Sequence, residues 1–171
     1  IDPLTIHSRA KMLLLDIGFS QRIELSLFPD ARFSAGTLIS GTKSEEGRWS
    51  LVKAEGADED SLYTFKGYVE RVVDADTLKA ELDLGFGCWR AETIRLHGID
   101  SPEIDTPEGK AAKRFVEREL AGCEFITIKS TQTRREKWGR YLGDVFYEKR
   151  DTARPVYLNQ LLLDKGHAVM V

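Results

Sequence analysis

The period of the hydrophobic positions changes several times along the first sixty residues. Leu4, Met12, Leu13 and Leu15, followed by Gly18, suggest a helix over residues 4–17 with a glycine stop. Ile23, Leu25 and Leu27 alternate with Arg22, Glu24 and Ser26, which predicts a strand ending at Pro29-Asp30. Residues 33–40 and 48–52 read as two more strands. The acidic stretch of small residues at 56–61 reads as a linker. A small β-rich accessory unit, residues 1–60, is therefore expected ahead of a second domain, residues 61–171.

Past that point the pattern sharpens. Residues 63–73, 77–84 and 91–97 read as three strands. Thr106-Pro107-Glu108 opens a helix with a capping hydroxyl, a proline in the first turn and an acid facing the helix dipole. That helix runs to about Leu120 and stops at Gly122. Residues 124–129 and 141–147 are the fourth and fifth strands, and residues 155–165 a second helix closed by Gly166. Three strands, a helix, two strands and a helix predict an α+β domain: a five-stranded Greek-key barrel of the OB type with two helices.

Composition removes other classes. With 42% hydrophobic and 31% charged residues, the 171-residue chain is neither disordered nor of low complexity. No apolar run approaches the ~18 residues of a membrane helix, since residues 12–15 stop at Asp16. No series of the signal-peptide kind is visible. Cys88 and Cys123 form neither a disulfide framework nor a CxxC pair and read as unpaired thiols. The net charge of −3 comes from residues 1–60, with seven Lys/Arg against ten Asp/Glu; residues 61–171 carry eighteen of each. That balance argues against holding nucleic acid by bulk electrostatics alone, but not against a local basic cleft.

Four polar clusters fall at strand ends, where a barrel can gather them: Asp74-Ala75-Asp76-Thr77, Arg95, Asp100-Ser101-Pro102-Glu103 and Lys137-Trp138-Gly139-Arg140. Aspartates that approach each other repel unless a cation lies between them. Carboxylates and a backbone carbonyl are hard ligands, suited to calcium or magnesium and not to zinc. An EF-hand starting at Asp74 is excluded, because its sixth and twelfth positions are Lys79 and Gly85. Pro102 fixes its own backbone and extends Ser101. That kink can aim Asp100 and the Ser101 carbonyl at a metal while sending Glu103 elsewhere, free to take a proton from water as a general base. A bulge at Gly98 would let Arg95 and Asp100 converge. Arg95 and Arg140 offer planar forks to phosphoryl oxygens whose charge grows in the transition state. Together these groups suit phosphodiester hydrolysis.

Residues 63–171 resemble the staphylococcal (thermonuclease) nuclease-like domain family, through VVDADTLKAEL, IRLHGIDSPE, PEGKAAKRFVEREL, EKWGRYLGDVFY and LNQLLLDKGHA. The resemblance implies that Asp76, Asp100 and the Ser101 carbonyl bind calcium. It also implies that Glu103 activates the attacking water and that Arg95 and Arg140 grip the scissile phosphate. The implied activity is cleavage of DNA and RNA with little sequence preference, leaving 3′-phosphate ends. Ser101 stands where the family usually has Thr, Ala75 where it usually has Gly, and the basic loop after the metal turn is nearly absent.

Plainer readings stand beside these. Asp74 reads as a turn former. Arg95 could pair with Glu92 or Glu81, and Arg140 with Glu136. Arg134, Arg135 and Lys137 read as a solvated loop or a phosphate-tracking run. Trp138 and Trp89 read as fillers of a barrel mouth or as platforms for bases. The competing functional reading is a non-catalytic nucleic-acid- or protein-binding module on the same fold; a third makes residues 1–60 the functional part.

Overall fold

The computed structural model describes residues 4–9, 12–135, 141–149 and 154–171. Its contacts fall into two units, Ile1–Thr64 with Leu84–Cys88, and Phe65–Asp83 with Trp89–Val171.

In the first unit, the helix expected over residues 4–17 is replaced by two antiparallel strands, β1 (Leu4–Arg9) and β2 (Met12–Gly18). The reason lies in residues that the helical reading passed over. Thr5, Ile6 and Ile17 are β-branched and favour extended backbone, and Leu4 and Ile6 point inward on alternate positions. The chain turns at Phe19 and Ser20, both at positive φ (48° and 63°), into β3 (Gln21–Glu24), as two-residue hairpin turns require. The strand expected through Leu27 ends at Glu24, because Leu25–Leu27 winds into a 3-10 turn that buries Leu25. β4 (Leu38–Lys43) and β5 (Trp49–Lys53) complete a sheet ordered β3-β2-β1-β4-β5. Leu15, Ile17, Phe19 and Ile39 join Leu4 and Ile6 in its core. The stretch expected as a linker contains a capped turn, where the Asp58 carboxylate accepts the Ser61 N–H at 3.0 Å.

The second unit follows the expected order closely. β6 (Thr64–Asp74), β7 (Thr77–Asp83) and β8 (Trp89–Leu96) pair as an antiparallel meander. A two-residue strand, β9 (Ile99–Asp100), precedes α1 (Pro107–Leu120). β10 (Ile126–Arg135) and β11 (Tyr141–Tyr147) return antiparallel to each other, and β11 lies parallel to β8, with Tyr141 opposite Ile94. The order β10-β6-β7-β8-β11, with β10 also paired to β11, closes a five-stranded barrel of the OB type.

Helix α1 starts as its sequence dictates. The Thr106 hydroxyl accepts the Gly109 N–H at 3.0 Å, Pro107 sits in the first turn, and Gly109, Ala112, Val116 and Leu120 form one buried stripe. The second helix is shorter than expected. Val156–Tyr157 pairs with β11 as β12, and α2 spans Leu158–Asp164. A last short strand, β13 (Val169–Met170), pairs with β9. Leu78, Leu82, Ile94, Leu96, Ile126 and Ile128 fill the barrel. Among the described residues no helix is long and apolar enough to cross a membrane. Cys88 and Cys123 are both unpaired.

Candidate active site

The corner between β6 and β7 buries a charge. Asp76 is 2% exposed, and the N–H of Leu96, at the end of β8, donates to its backbone carbonyl at 2.7 Å. One carboxylate oxygen, Oδ1, accepts from the Thr77 hydroxyl at 2.9 Å and from Arg95 Nη1 at 3.0 Å. The other, Oδ2, accepts the Ser101 N–H at 2.7 Å. Burial pushes this carboxyl up. Hydrogen bonds with Ser101, Asp74 and Thr77, together with the Arg95 charge, outweigh burial and hold it below the ordinary aspartate value of 3.8.

Arg95 reaches the same place from β8. Its second fork nitrogen, Nη2, hydrogen-bonds Asp100 Oδ1, so one guanidinium joins both aspartates. The neighbours weighed from sequence are otherwise engaged in part, since Glu92 binds Arg90. Gly98 brings Asp100 back to Arg95. Its φ of +74° lies in the left-handed region, which turns the chain between β8 and β9. The turn is stitched on three sides: His97 N–H donates to Gly143 at 2.9 Å, Val171 N–H donates to Gly98 at 3.1 Å, and Val169 pairs with Asp100.

Glu103 stands just beyond, with its side chain exposed. Its carbonyl accepts from both the N–H (2.9 Å) and the hydroxyl (2.7 Å) of Thr106, so its backbone is fixed to the start of α1. Among the described residues no three His, Cys, Asp or Glu side chains gather as a metal cluster. Two carboxylates, those of Asp76 and Asp100, converge on Arg95.

Arg134 and Arg135 lie at the end of β10, with Arg135 opposite Tyr141. Lys137, Trp138 and Arg140 fall outside the described residues.

Two supporting residues escaped the sequence reading. Asn159, 1% exposed, sits in the first turn of α2 and works as a three-way clamp. Its Nδ2 donates to the carbonyls of His97 (3.0 Å) and Gly143 (3.3 Å), and its Oδ1 accepts the Val145 N–H at 3.1 Å. The visible signal was one amide inside the leucine-rich run LNQLLLD. Gly109 is the second: it packs directly against the carbonyls of Pro102 and Glu103.

The donor atoms that Asp76, Asp100 and the Ser101 carbonyl offer are of the type that hard divalent cations take. Asp76 and Asp100 already share one cationic group, both present only oxygen, and neither imidazole nor thiolate stands among them.

Residues 93–171 match the family model described as staphylococcal nuclease homologue. A curated relative, "Probable staphylococcal-like nuclease CAN2" from Oryza sativa subsp. japonica, is 28% identical over 79 residues, 46% of this chain. The matched stretch spans 19% of that relative's length.

Proposed function

With residues 93–171 forming a staphylococcal nuclease homologue domain, we propose that the chain is a calcium-dependent nuclease that hydrolyses phosphodiester bonds of DNA or RNA. The observation that carries this reading is the junction of Asp76, Arg95 and Asp100 through one guanidinium. Asp76, Asp100 and the Ser101 carbonyl would hold the calcium ion, which when bound supplies positive charge beside the scissile phosphate. Arg95 donates N–H groups to the phosphoryl oxygens, with Arg140 as the second fork. Glu103, held by its backbone and open to solvent at its side chain, takes a proton from the attacking water. The new bond forms between that water oxygen and phosphorus. The bond to the leaving sugar oxygen breaks, and that oxygen takes a proton from solvent.

The test is digestion of plasmid and RNA with and without calcium, by the parent chain and by Glu103→Gln. The reading expects activity that EDTA abolishes and calcium restores, and turnover reduced by orders of magnitude in the variant at unchanged melting temperature. Cleavage that survives chelation contradicts the metal assignment, and full activity of Glu103→Gln removes that residue from the chemistry.

A further inference from the structure

One face of the barrel runs from Arg95 to a part of the molecule that the proposed chemistry leaves unused. On β8, Trp89, Ala91, Thr93 and Arg95 share one side, because their register against Asp83, Glu81, Lys79 and Thr77 of β7 is unbroken. Ile94 and Leu96 point the other way, into the core. Trp89 therefore stands on the face of Arg95, three two-residue steps or about 20 Å along the strand. It fills no barrel mouth: 51% of its surface is exposed. Tyr68 of β6 leans against it, ring centroids 5.6 Å apart at 45°, so the two rings support each other as a firm apolar step.

The charges beside this step decide what it can hold. Ala91 and Thr93, between Trp89 and Arg95, are uncharged. On β7, Lys79 is paired to Glu70 at 2.9 Å, and Glu81 and Asp83 follow it towards Trp89. On β6, Lys66 stands opposite Asp83 and Arg71 opposite Lys79, so acids and bases balance on this face and beyond Arg95 it carries no surplus of positive charge. A duplex, with its bases stacked inside and its phosphates outermost, would find no surplus of positive charge on this face to hold those phosphates. A single strand can turn its bases to the sheet and leave its phosphates in water, and stacking on an aromatic ring needs no net charge.

We infer that this face is the bed of a single-stranded polynucleotide: with one phosphate at Arg95, a base a few nucleotides away stacks on Trp89 and Tyr68. The inference rests on the nuclease reading and adds to it a substrate class, single-stranded DNA or RNA, and a length dependence.

The test uses the full chain with calcium and oligothymidylates of increasing length. KM of the parent is expected to fall once the oligomer is long enough to span from Arg95 to Trp89. Trp89→Ala is expected to lose that fall, about tenfold or more in KM, while Trp89→Phe keeps most of it. Direct binding of the longest oligomer to Glu103→Gln is expected to quench tryptophan fluorescence, and Trp89→Phe in that background to remove most of the quench. Melting temperatures of the variants show that each is folded. If Trp89→Ala cleaves long single strands with the KM of the parent, or weakens duplex and single strand by one factor, the inference is overturned while the nuclease reading stands. If the parent neither binds nor cleaves any nucleic acid in calcium, both fall. Retention of an apolar peptide instead of the oligomer would make the face a protein-docking surface and likewise overturn the inference.

Discussion

The carbonyl oxygen of Glu103 packs so closely over Gly109 that a β-carbon on residue 109 would stand 2.1 Å from it, and 2.6 Å from the carbonyl of Pro102. Both obstacles are backbone, so no side-chain rotation relieves them. Glycine costs up to ~1 kcal/mol of helix propensity here, and in exchange the loop that carries the proposed base lies directly on the first turn of α1. Gly109→Ala is expected to lose about 1–3 kcal/mol of stability and, because the carbonyl that must move belongs to Glu103, to lower kcat more than it raises KM. Chemical denaturation and steady-state kinetics on one preparation check both parts.

Arg95→Lys keeps a positive charge but replaces a two-pronged planar donor with a point charge. It cannot join Asp76 and Asp100 as the guanidinium does. A fall in kcat of about 100-fold is expected, with the circular dichroism spectrum unchanged. A variant as active as the parent would show that the fork geometry is dispensable.

Acid is expected to drain the stabilisation that Asp76 provides. Its carboxyl lies below the ordinary value of 3.8 in the folded chain, so the unfolded chain takes up the proton first as pH falls. The contribution is complete above 3.8 and is lost as pH drops through the lower folded value. Asp76→Asn, which leaves Arg95 with one of these two aspartates, is expected to cost about 3 kcal/mol at neutral pH. The gap between parent and variant should narrow steadily in urea titrations carried towards pH ~3. A gap that stays constant would mean that the carboxylate charge is not what stabilises the corner.

Asn159→Leu keeps the branching and heavy-atom count of the side chain and removes both its donor and its acceptor. The carbonyls of His97 and Gly143 and the Val145 N–H would each lose a buried partner, a loss of about 2–4 kcal/mol in all. Asn159→Asp is expected to be worse, since it keeps the acceptor for Val145 but turns a carboxylate towards two carbonyl oxygens. Thermal unfolding of the two variants ranks them.

The second unit was legible in the sequence because its signals are local. Thr106, Pro107 and Gly122 punctuate α1 within a turn of where they act, and β7 and β11 alternate buried with more exposed positions. Residues 4–17 misled because the spacing of Leu4, Met12, Leu13 and Leu15 fits a helix, while the tie of Thr5 to Asp16 and of Leu4 to Ile39 is made across the chain and leaves no periodic mark. The meeting of Asp76, Arg95 and Asp100 could be anticipated from residue chemistry. Gly109 could not, since its role is the space a missing side chain leaves. Nor could β13, whose two residues reach Ile99 and Asp100 from about seventy positions away.

The Asn159 amide touches the exit of β8 and the middle of β11 at once, and those two strands form the parallel seam of the barrel. Loosening the turn that presents Asp100 therefore means loosening the seam, so the site has little freedom to breathe on its own. In hydrogen-exchange terms, the Val145 amide is expected in the slowest class, released only when the whole domain opens. A nuclease built this way would keep its aspartates and guanidinium in register between substrates, and would lose them all together.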